Sequence, residues 1–266
     1  MEKDKLERLE KYFKENENVA LSFIFGSSVK GFAGEDSDVD IGVYLRDIKE
    51  EDKIWSEICK IMEKEIDLVL LNNVPPTLIS NVFKTGIPLV IKDRYLYLDT
   101  YLTATLEAED FYEFVRDYWR IYSRSSSLIP EDKVRLMERI QFLESEFQEI
   151  KGFESLTFRE YQEDKVKRRN IERWTENIVN ATIDIAKIIL ASEKKEIPKT
   201  YEQSLSNFGF FMGFKEEEAK KLSSFARLRN ILAHEYLDII YDRIKDFIRE
   251  ARILFPKILD FLSRYL

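Results

Sequence analysis

Residues 26–45, GSSVKGFAGEDSDVDIGVYL, decide the fold of the first half of the chain. The apolar run from Ala20 to Phe25 that precedes them predicts a buried strand, which ends at Gly26 and Ser27. Small residues at that point let the backbone approach a ligand closely, and a helix beginning there would direct its N–H groups at a phosphate. The stretch therefore predicts a phosphate-holding turn directly after a strand.

A pair of carboxylates opens the next predicted strand, which runs from Asp40 to Leu45. Asp38 and Asp40 are two positions apart, and such side chains project to the same face of a strand. Two ionised carboxylates this close repel each other unless a cation lies between them, and hard oxygen ligands suit Mg²⁺. An acidic turn is the plainer interpretation of a bare Asp-x-Asp, but the Gly-Ser turn on the preceding strand favours a metal site.

A third carboxylate, Asp67, lies within the short apolar run from Glu65 to Leu71, which predicts another strand. An aspartate buried without a partner in such a run would cost several kcal/mol. We therefore expect Asp67 to have a role, and it would complete a site for two metal ions.

The combined pattern resembles the minimal nucleotidyltransferase family of the DNA polymerase β superfamily, over roughly residues 1–100. The matching positions are Gly26, Ser27, Gly31, Ser37, Asp38, Asp40 and Asp67. The resemblance implies two Mg²⁺ ions held by the three aspartates, ATP as the donor of AMP, and a turn in which Gly26, Ser27 and Lys30 hold the triphosphate. Many members carry arginine where this chain has Lys30, which keeps the positive charge but loses the bidentate fork.

Length, charge and cysteine content limit the class of protein. The chain has 266 residues, enough for two domains that each bury a core. A single cysteine, Cys59, excludes an intrachain disulfide framework and is typical of a reducing cytoplasm, where we expect the protein. The charged start and the short apolar runs predict neither a signal segment nor a membrane span. The net charge of −8 argues against a generally basic nucleic-acid binder, so any RNA-binding surface must be local.

The predicted fold class is α+β, with an α/β domain that contains a small mixed sheet followed by an all-α helical bundle. Helices alternate with short strands in the first half, and the second half shows no alternating strand pattern. We place the boundary in the small, polar segment Ser123–Pro130, which divides the chain into residues 1–127 and 128–266.

The spacing of apolar residues in the bundle predicts its longest helix. This helix is predicted from Thr157 to about Ser192, with Ile171, Trp174 and Ile178 among the residues that face inward. Gly209 and Gly213 then predict an interruption before the helical pattern resumes.

The only histidine of the chain lies in the segment RNILAHEY, residues 229–236. Taken alone, a single histidine on a helix is more typical of a structural residue. Asn230 and His234 would share one face of a helix, however, and the long side chain of Arg229 could reach the same point. An imidazole moves protons near neutral pH and a guanidinium stabilises charge on a phosphorane, so the segment is a candidate second site.

The whole bundle, with Arg229, His234 and Tyr236 at these spacings, resembles a HEPN domain of the HepT type. HEPN proteins with this motif are metal-independent ribonucleases, which implies RNA as a substrate and a homodimer through the helical half. Minimal nucleotidyltransferases and HEPN proteins commonly occur as paired antitoxin and toxin, in which the transferase attaches AMP to the motif tyrosine. The resemblance implies Tyr236 as the acceptor, and the presence of both halves on one chain favours modification within the chain or dimer.

A short basic run, from Lys165 to Arg169, allows two interpretations. Such a run on a long helix is most often solvated surface. The alternative is that these side chains contact the phosphates of RNA.

Three hypotheses account for the sequence. The first is a toxin–antitoxin-type protein whose Mg-ATP-dependent adenylyltransferase half modifies Tyr236 and so controls RNA cleavage by Arg229, Asn230 and His234. The second is an enzyme similar to kanamycin nucleotidyltransferase, which adenylylates a small molecule and uses the helical half for substrate binding and dimerisation. It explains the first half equally well but leaves the second motif unexplained. The third, a catalytically inactive interaction module, requires the aspartates and the Arg/His pair to be coincidental.

Overall fold

The computed structural model describes residues 3–26, 39–63, 66–124, 128–234 and 237–266, and only the backbone at residues 3, 230, 231, 233, 234 and 237–239. Residue contacts divide the chain into two units, residues 1–112 and 113–266. The division falls within a continuous helix, Arg94–Tyr122, whereas the sequence places the domain boundary at residue 127. The position of that boundary stays a prediction.

The first unit is built from helices and four strands. Its elements are α1 (Lys3–Glu15), β1 (Val19–Phe25), β2 (Asp40–Leu45), α2 (Glu51–Met62), β3 (Asp67–Leu70), α3 (Pro76–Thr85), β4 (Ile87–Ile91) and the first part of α4 (Arg94–Tyr122). The strands lie in the order β3-β2-β1-β4. β1 is antiparallel to β2 and to β4, and β3 is parallel to β2. The small mixed sheet predicted from the sequence is confirmed.

Alternate residues of β1 face two separate cores. Ile24 belongs to a core that includes Leu9 of α1 and Ile58 of α2. Phe23 faces the other core, where its ring centroid lies 4.7 Å from that of Phe83 in α3. Because apolar cores cover both faces of the sheet, the ends of its strands are where it presents polar groups.

The regular secondary structure that the structure describes in the second unit consists of helices. It begins with the end of α4 and continues with α5 (Pro130–Gln148), α6 (Ile150–Glu154), α7 (Phe158–Glu163), α8 (Lys165–Ser192), α9 (Tyr201–Phe211), α10 (Glu216–His234) and α11 (Leu237–Leu262). This confirms the predicted all-α second half. Among the described helices, none has both the length and the apolar content needed to cross a membrane.

The single helix predicted from Thr157 to Ser192 is wrong, because Asp164 divides it into α7 and α8. The backbone of Asp164 is extended, with φ −99° and ψ 96°. Its side chain accepts the N–H groups of Val166 at 2.9 Å and Lys167 at 3.1 Å, so it caps the start of α8. The break is set by a capping side chain, which apolar spacing alone does not reveal.

The interruption predicted at Gly209 is also wrong, because this residue lies inside α9. A Cβ at Gly209 would lie 3.1 Å from the Cα of Ala219 in α10, so the glycine lets two helices approach closely. The helical pattern is interrupted beyond α9, where Gly213 has a φ of +89°. Glycine adopts this left-handed conformation without strain, and such a residue is typical of the position just beyond the end of a helix, here α9.

A buried aspartate joins the end of α4 to the start of α5. The side chain of Asp132 is 1% exposed and accepts from Arg120 at 3.1 Å, from Arg135 at 3.4 Å and from Arg124. Charged hydrogen bonds on both carboxylate oxygens offset the cost of burying the charge.

Asp117 extends this charged cluster to α8. It lies 2.9 Å from Nη2 of Arg135 and 3.0 Å from Nζ of Lys187. Burial by itself would raise the pKa of Asp117, but the Arg135 hydrogen bond and the Lys187 charge lower that pKa well below its usual range. The ionised carboxylate therefore stabilises the contact of three helices.

Candidate active site

Asp40 and Asp67 lie side by side at one end of the sheet. Each is the first residue of its strand, and the parallel pairing of β2 with β3 places Asp40 opposite Asp67. The backbone N–H of Asp67 donates to the carbonyl of Val39 at 3.2 Å, which fixes the start of β3 against β2. Parallel pairing thus brings together two carboxylates that are distant in the sequence.

Gly26 directly follows β1 and lies against the Asp40 side chain. The register pairs Phe25 with Asp40, so the next residue of the chain passes over the carboxylate. A Cβ at Gly26 would lie 1.8 Å from Oδ2 of Asp40, and its φ of +77° is left-handed. Any side chain at this position would displace the carboxylate. Glycine is therefore required here for the carboxylate as well as for the close approach of a ligand.

Asp67 lies on a strand, as predicted, but it is not buried, so the argument that a buried aspartate needs a partner does not apply to it. Asp67 is the first residue of β3 and is exposed, and burial increases along the strand towards Leu70. β3 is an edge strand of the sheet, so its open end leaves the carboxylate in contact with solvent. The position needs no buried partner, and the carboxylate remains accessible to a ligand.

The two carboxylates fit a hard cation such as Mg²⁺. Aspartates on neighbouring strands offer oxygen ligands whose mutual repulsion a divalent ion would relieve. Within the described residues, His, Cys, Asp and Glu side chains form no group of three or more that could hold a metal ion. The predicted third ligand, Asp38, lies outside the described residues, as do Ser27 and Lys30.

Arg229 of the second motif is partly buried in α10 and lies over an aromatic ring. Its guanidinium carbon is 5.2 Å from the ring centroid of Tyr201, the first residue of α9. Such a cation–π contact contributes about 0.5–2 kcal/mol. Glu202, which follows Tyr201 in α9, forms an ion pair with Arg227 of α10 at 3.3 Å. The start of α9 therefore contacts two arginines of α10.

Asn230 and His234 occupy the last turns of α10, which ends at His234. Residues four apart in a helix share a face, so the backbone supports the predicted proximity of these two positions. Their side chains and Tyr236 lie outside what the structure describes. The roles of Asn230, His234 and Tyr236 stay predictions.

Sequence reasoning missed Tyr201. This residue follows Thr200, whose side chain accepts the N–H of Gln203 and caps the start of α9. The capping signal predicts a helix start but says nothing about contacts. Only the antiparallel packing of α9 against α10 brings the ring to Arg229.

Two family models match separate parts of the chain. The model described as polymerase beta, nucleotidyltransferase, matches residues 7–95, which contain Gly26, Asp40 and Asp67. The model described as ribonuclease HepT-like matches residues 143–264, which contain the segment from Arg229 to Tyr236.

Two of the similar solved structures are of toxin–antitoxin proteins. A crystal structure of a toxin–antitoxin with AMP-PNP has 18% identity and a TM-score of 0.35, covering 42% of this chain and 90% of that chain. A crystal structure of the toxin–antitoxin MntA-HepT has 17% identity and a TM-score of 0.31, covering 42% of this chain and 88% of that chain. A search of curated proteins finds no match. Similarity at these scores carries no weight beside the family models.

The fold agrees with both family models. A mixed sheet flanked by helices lies within residues 7–95, and residues 143–264 are helical in their described part. The chain is therefore a fusion of a polymerase β-type nucleotidyltransferase domain with a HepT-like (HEPN) domain.

Proposed function

We propose that this chain is a toxin–antitoxin-type protein in which the nucleotidyltransferase half attaches AMP to Tyr236 and so silences RNA cleavage by the HepT-like half. The observation that carries the proposal is the register of Asp40 opposite Asp67, with Gly26 against the Asp40 carboxylate. Paired carboxylates beside a glycine turn supply the ligands that transfer of a nucleotidyl group requires.

Asp38, Asp40 and Asp67 hold two Mg²⁺ ions in this proposal. Support comes from the donor set, because carboxylates on neighbouring strands are hard ligands at a solvent-accessible strand end. When bound, the ions neutralise charge on the triphosphate and on the transferred phosphoryl group.

The turn after β1 holds the outer phosphates of ATP through Gly26, Ser27 and Lys30. The phenolic oxygen of Tyr236 attacks the α-phosphorus, and the bond from this phosphorus to the oxygen that bridges to the β-phosphate breaks. Pyrophosphate leaves, and the phenolic proton passes to water. The product is a phosphodiester between Tyr236 and the 5′ oxygen of adenosine.

RNA cleavage in the unmodified protein uses the motif of α10. His234 takes the proton of a ribose 2′-hydroxyl, and the 2′ oxygen attacks the adjacent phosphorus. The 5′ oxygen leaves and takes a proton from water, so the products are a 2′,3′-cyclic phosphate and a 5′-hydroxyl. Arg229, which the contact with Tyr201 orients, stabilises charge on the phosphorane, and Asn230 supports the same face. No metal ion takes part in this step.

Two copies of the chain form the nuclease in this proposal. A two-fold dimer through the helical halves would place Arg229 and His234 of both protomers in one cleft, as an isologous interface requires. AMP on Tyr236 adds a phosphate that pairs with a guanidinium of this cleft. The phosphate of the modification then occupies the place of an RNA phosphate, which is the proposed mode of inhibition.

AMP transfer and RNA cleavage can be tested on the same protein. Wild-type chain, Asp40→Asn and the surface control Asp52→Asn are incubated with Mg²⁺ and ATP labelled at the α-phosphate, and protein-bound label and RNA cleavage are measured. We expect label and loss of cleavage in the wild type and the control, and neither in Asp40→Asn.

Two outcomes contradict the proposal. Protein-bound label in Asp40→Asn would remove the carboxylate pair from the reaction. If ATP were consumed in a reaction that depends on Asp40 but no label reached the protein, the acceptor of AMP would be a small molecule and not Tyr236.

A further inference from the structure

A basic surface lies on the first turns of α8. Lys165 and Arg169 are exposed, and Arg168 is partly exposed. Arg168 follows Lys165 by three residues and Arg169 follows it by four. Side chains at these spacings are neighbours on a helix surface. These three residues are called the basic face below.

The acidic residues around the basic face have other partners. Glu163 lies 3.1 Å from Nε of Arg159, and Glu160 lies 2.8 Å from Nζ of Lys167. The side chain of Asp164 is used in capping α8. In the part of the chain that the structure describes, no acidic side chain comes within ion-pair distance of Lys165, Arg168 or Arg169. The positive charge of the basic face is therefore available to an anionic partner, although the net charge of the protein is −8.

Two pairs of residues show that α8 and α11 run in the same direction. In the first half of both helices, the Trp174 ring lies 5.8 Å from that of Phe247. Just beyond the other ends, burial and the charge of Glu193 raise the pKa of Tyr265, so these two residues are also close. The start of α8 therefore lies at the same end of the bundle as the start of α11.

α10 runs antiparallel to α11 and ends where α11 begins. The ring of Phe225 lies 4.7 Å from that of Phe247, and Nζ of Lys221 lies 3.0 Å from Glu250. Earlier residues of α10 thus contact later residues of α11, which places His234, the last residue of α10, at the start of α11. The basic face and the end of the motif helix consequently lie at one end of the bundle.

We propose that Lys165, Arg168 and Arg169 bind the phosphate backbone of the RNA substrate beyond the phosphodiester that is cleaved. The proposal rests on the proposed ribonuclease function of the HepT-like half. A strand held at the motif by one phosphate needs further contacts for affinity, and unpaired cations at the same end of the bundle supply them. Such contacts recognise the charge of the backbone and not its sequence.

The basic face can be tested by direct measurement of RNA binding. The full chain with His234→Ala, which prevents cleavage, is titrated into a labelled single-stranded RNA of about 20 nucleotides, longer than one binding site of this kind. Fluorescence anisotropy gives the Kd at salt concentrations between about 0.05 and 0.2 M. The test protein adds Lys165→Gln, Arg168→Gln and Arg169→Gln, changes that remove three charges and keep good helix formers.

A matched control removes the same charge elsewhere in the helical half. Lys133, Lys199 and Lys220 are exposed and have no ion pair within the described part of the chain. Lys220 lies near the start of α10, at the end opposite to His234. The control carries Gln at these three positions in the same His234→Ala background.

We expect the basic-face variant to raise the Kd by roughly tenfold at intermediate salt and to lower the slope of log Kd against log salt by about 2. The control should change neither quantity appreciably. With His234 restored, the basic-face variant should cleave a dinucleotide as fast as the wild type and lose cleavage of the long RNA. A variant that merely disturbs the fold would lose both.

Three results would overturn the inference. Equal Kd and salt slope in the basic-face variant and the control would show that the surface does not bind RNA. If the basic-face variant lost cleavage of the dinucleotide as completely as cleavage of the long RNA, the substitutions would have disturbed the fold. Binding of duplex DNA as tight as binding of RNA, lost in the same variant, would identify a general polyanion surface. Absence of RNA binding and cleavage in the wild type would instead refute the proposed ribonuclease itself.

Discussion

The two halves of the chain position their polar groups by different means. In the nucleotidyltransferase half, backbone pairing of β2 with β3 places Asp40 opposite Asp67. In the HepT-like half, the Arg229 side chain contacts the ring of Tyr201 on another helix. Strand register is set by a whole ladder of hydrogen bonds, whereas a cation–π contact is a single weak interaction.

This difference indicates how each half should respond to substitution. A site fixed by backbone register fails sharply when a side chain intrudes, because the backbone cannot shift without loss of the ladder. A site fixed by side-chain contacts should lose activity gradually, since an arginine has several rotamers available. The predictions below test this contrast, in order of decreasing effect.

The largest effect is expected from Gly26→Ala. A Cβ would lie 1.8 Å from Oδ2 of Asp40, so the carboxylate must move, and the left-handed φ adds strain. A displacement of this size costs on the order of 10²-fold or more in rate. We expect AMP transfer to fall by at least that factor, measured with labelled ATP.

Gly213→Ala is the matched control in the other half. Gly213 also has a positive φ, +89°, but a Cβ there meets nothing within 4 Å. It should cost about 1–2 kcal/mol of stability through backbone strain alone and leave AMP transfer unchanged. Equal effects of the two substitutions on transfer would refute the steric role of Gly26.

The next effect is expected from Asp132→Asn, which tests the stability of the helical half. The side chain is 1% exposed and three arginines contact it, so its neutralisation removes the charge on which three charge-assisted contacts converge at a buried position. We expect a loss of about 3 kcal/mol in the free energy of unfolding, measured by urea denaturation followed by circular dichroism.

The exposed pair of Asp246 with Arg249, at 2.8 Å, provides the comparison. Asp246→Asn should cost less than about 1 kcal/mol, because water screens this pair. A loss for Asp132→Asn no greater than that of Asp246→Asn would show that the buried cluster does not stabilise the unit.

Tyr201→Leu should produce a smaller effect on catalysis. Loss of the ring removes the cation–π contact with Arg229 but leaves an apolar side chain. We expect a decrease of roughly tenfold in kcat for RNA cleavage, which corresponds to about 1.4 kcal/mol. Tyr201→Phe keeps the ring and should retain most activity. Equal losses in both variants would assign the effect to the hydroxyl instead.

The smallest effect concerns pH and arises from Asp117. Its pKa is lower in the folded protein than in the unfolded chain, so its stabilising effect is present above the unfolded value of about 3.9 and is lost as pH falls through the lower folded value. Asp117 should contribute on the order of 1 kcal/mol, since the site is partly exposed. Asp117→Asn should make unfolding less dependent on pH below about 4. An unchanged acid dependence would contradict this assignment.

Much of the first half could be predicted from the sequence, because strand signals there are local. The strand from Asp40 to Leu45 and the strand that ends at Phe25 lie where turn residues and apolar runs predict them. The exposure of Asp67 could not be predicted, since it depends on the edge position of β3 in the sheet. Strand order is a long-range property that no local pattern encodes.

The helical half was harder to predict in detail, because apolar periodicity does not report caps or crossings. Asp164 divides the single predicted helix by capping α8, and Gly209 allows close helix packing where the sequence predicts an interruption. Arg229 and His234 are candidates because their segment resembles a known motif, whereas no sequence pattern singles out Tyr201. Its role exists only in the packed bundle.

The central claim is that the first half modifies the second at Tyr236. Its most direct test is peptide mass spectrometry of the full chain after incubation with Mg²⁺ and ATP, with Asp40→Asn and Tyr236→Phe as comparisons. The account predicts the added mass of AMP on the peptide that contains Tyr236 in the wild type, and on neither variant. AMP on another residue, or an unmodified wild-type protein that nevertheless consumes ATP, would contradict it.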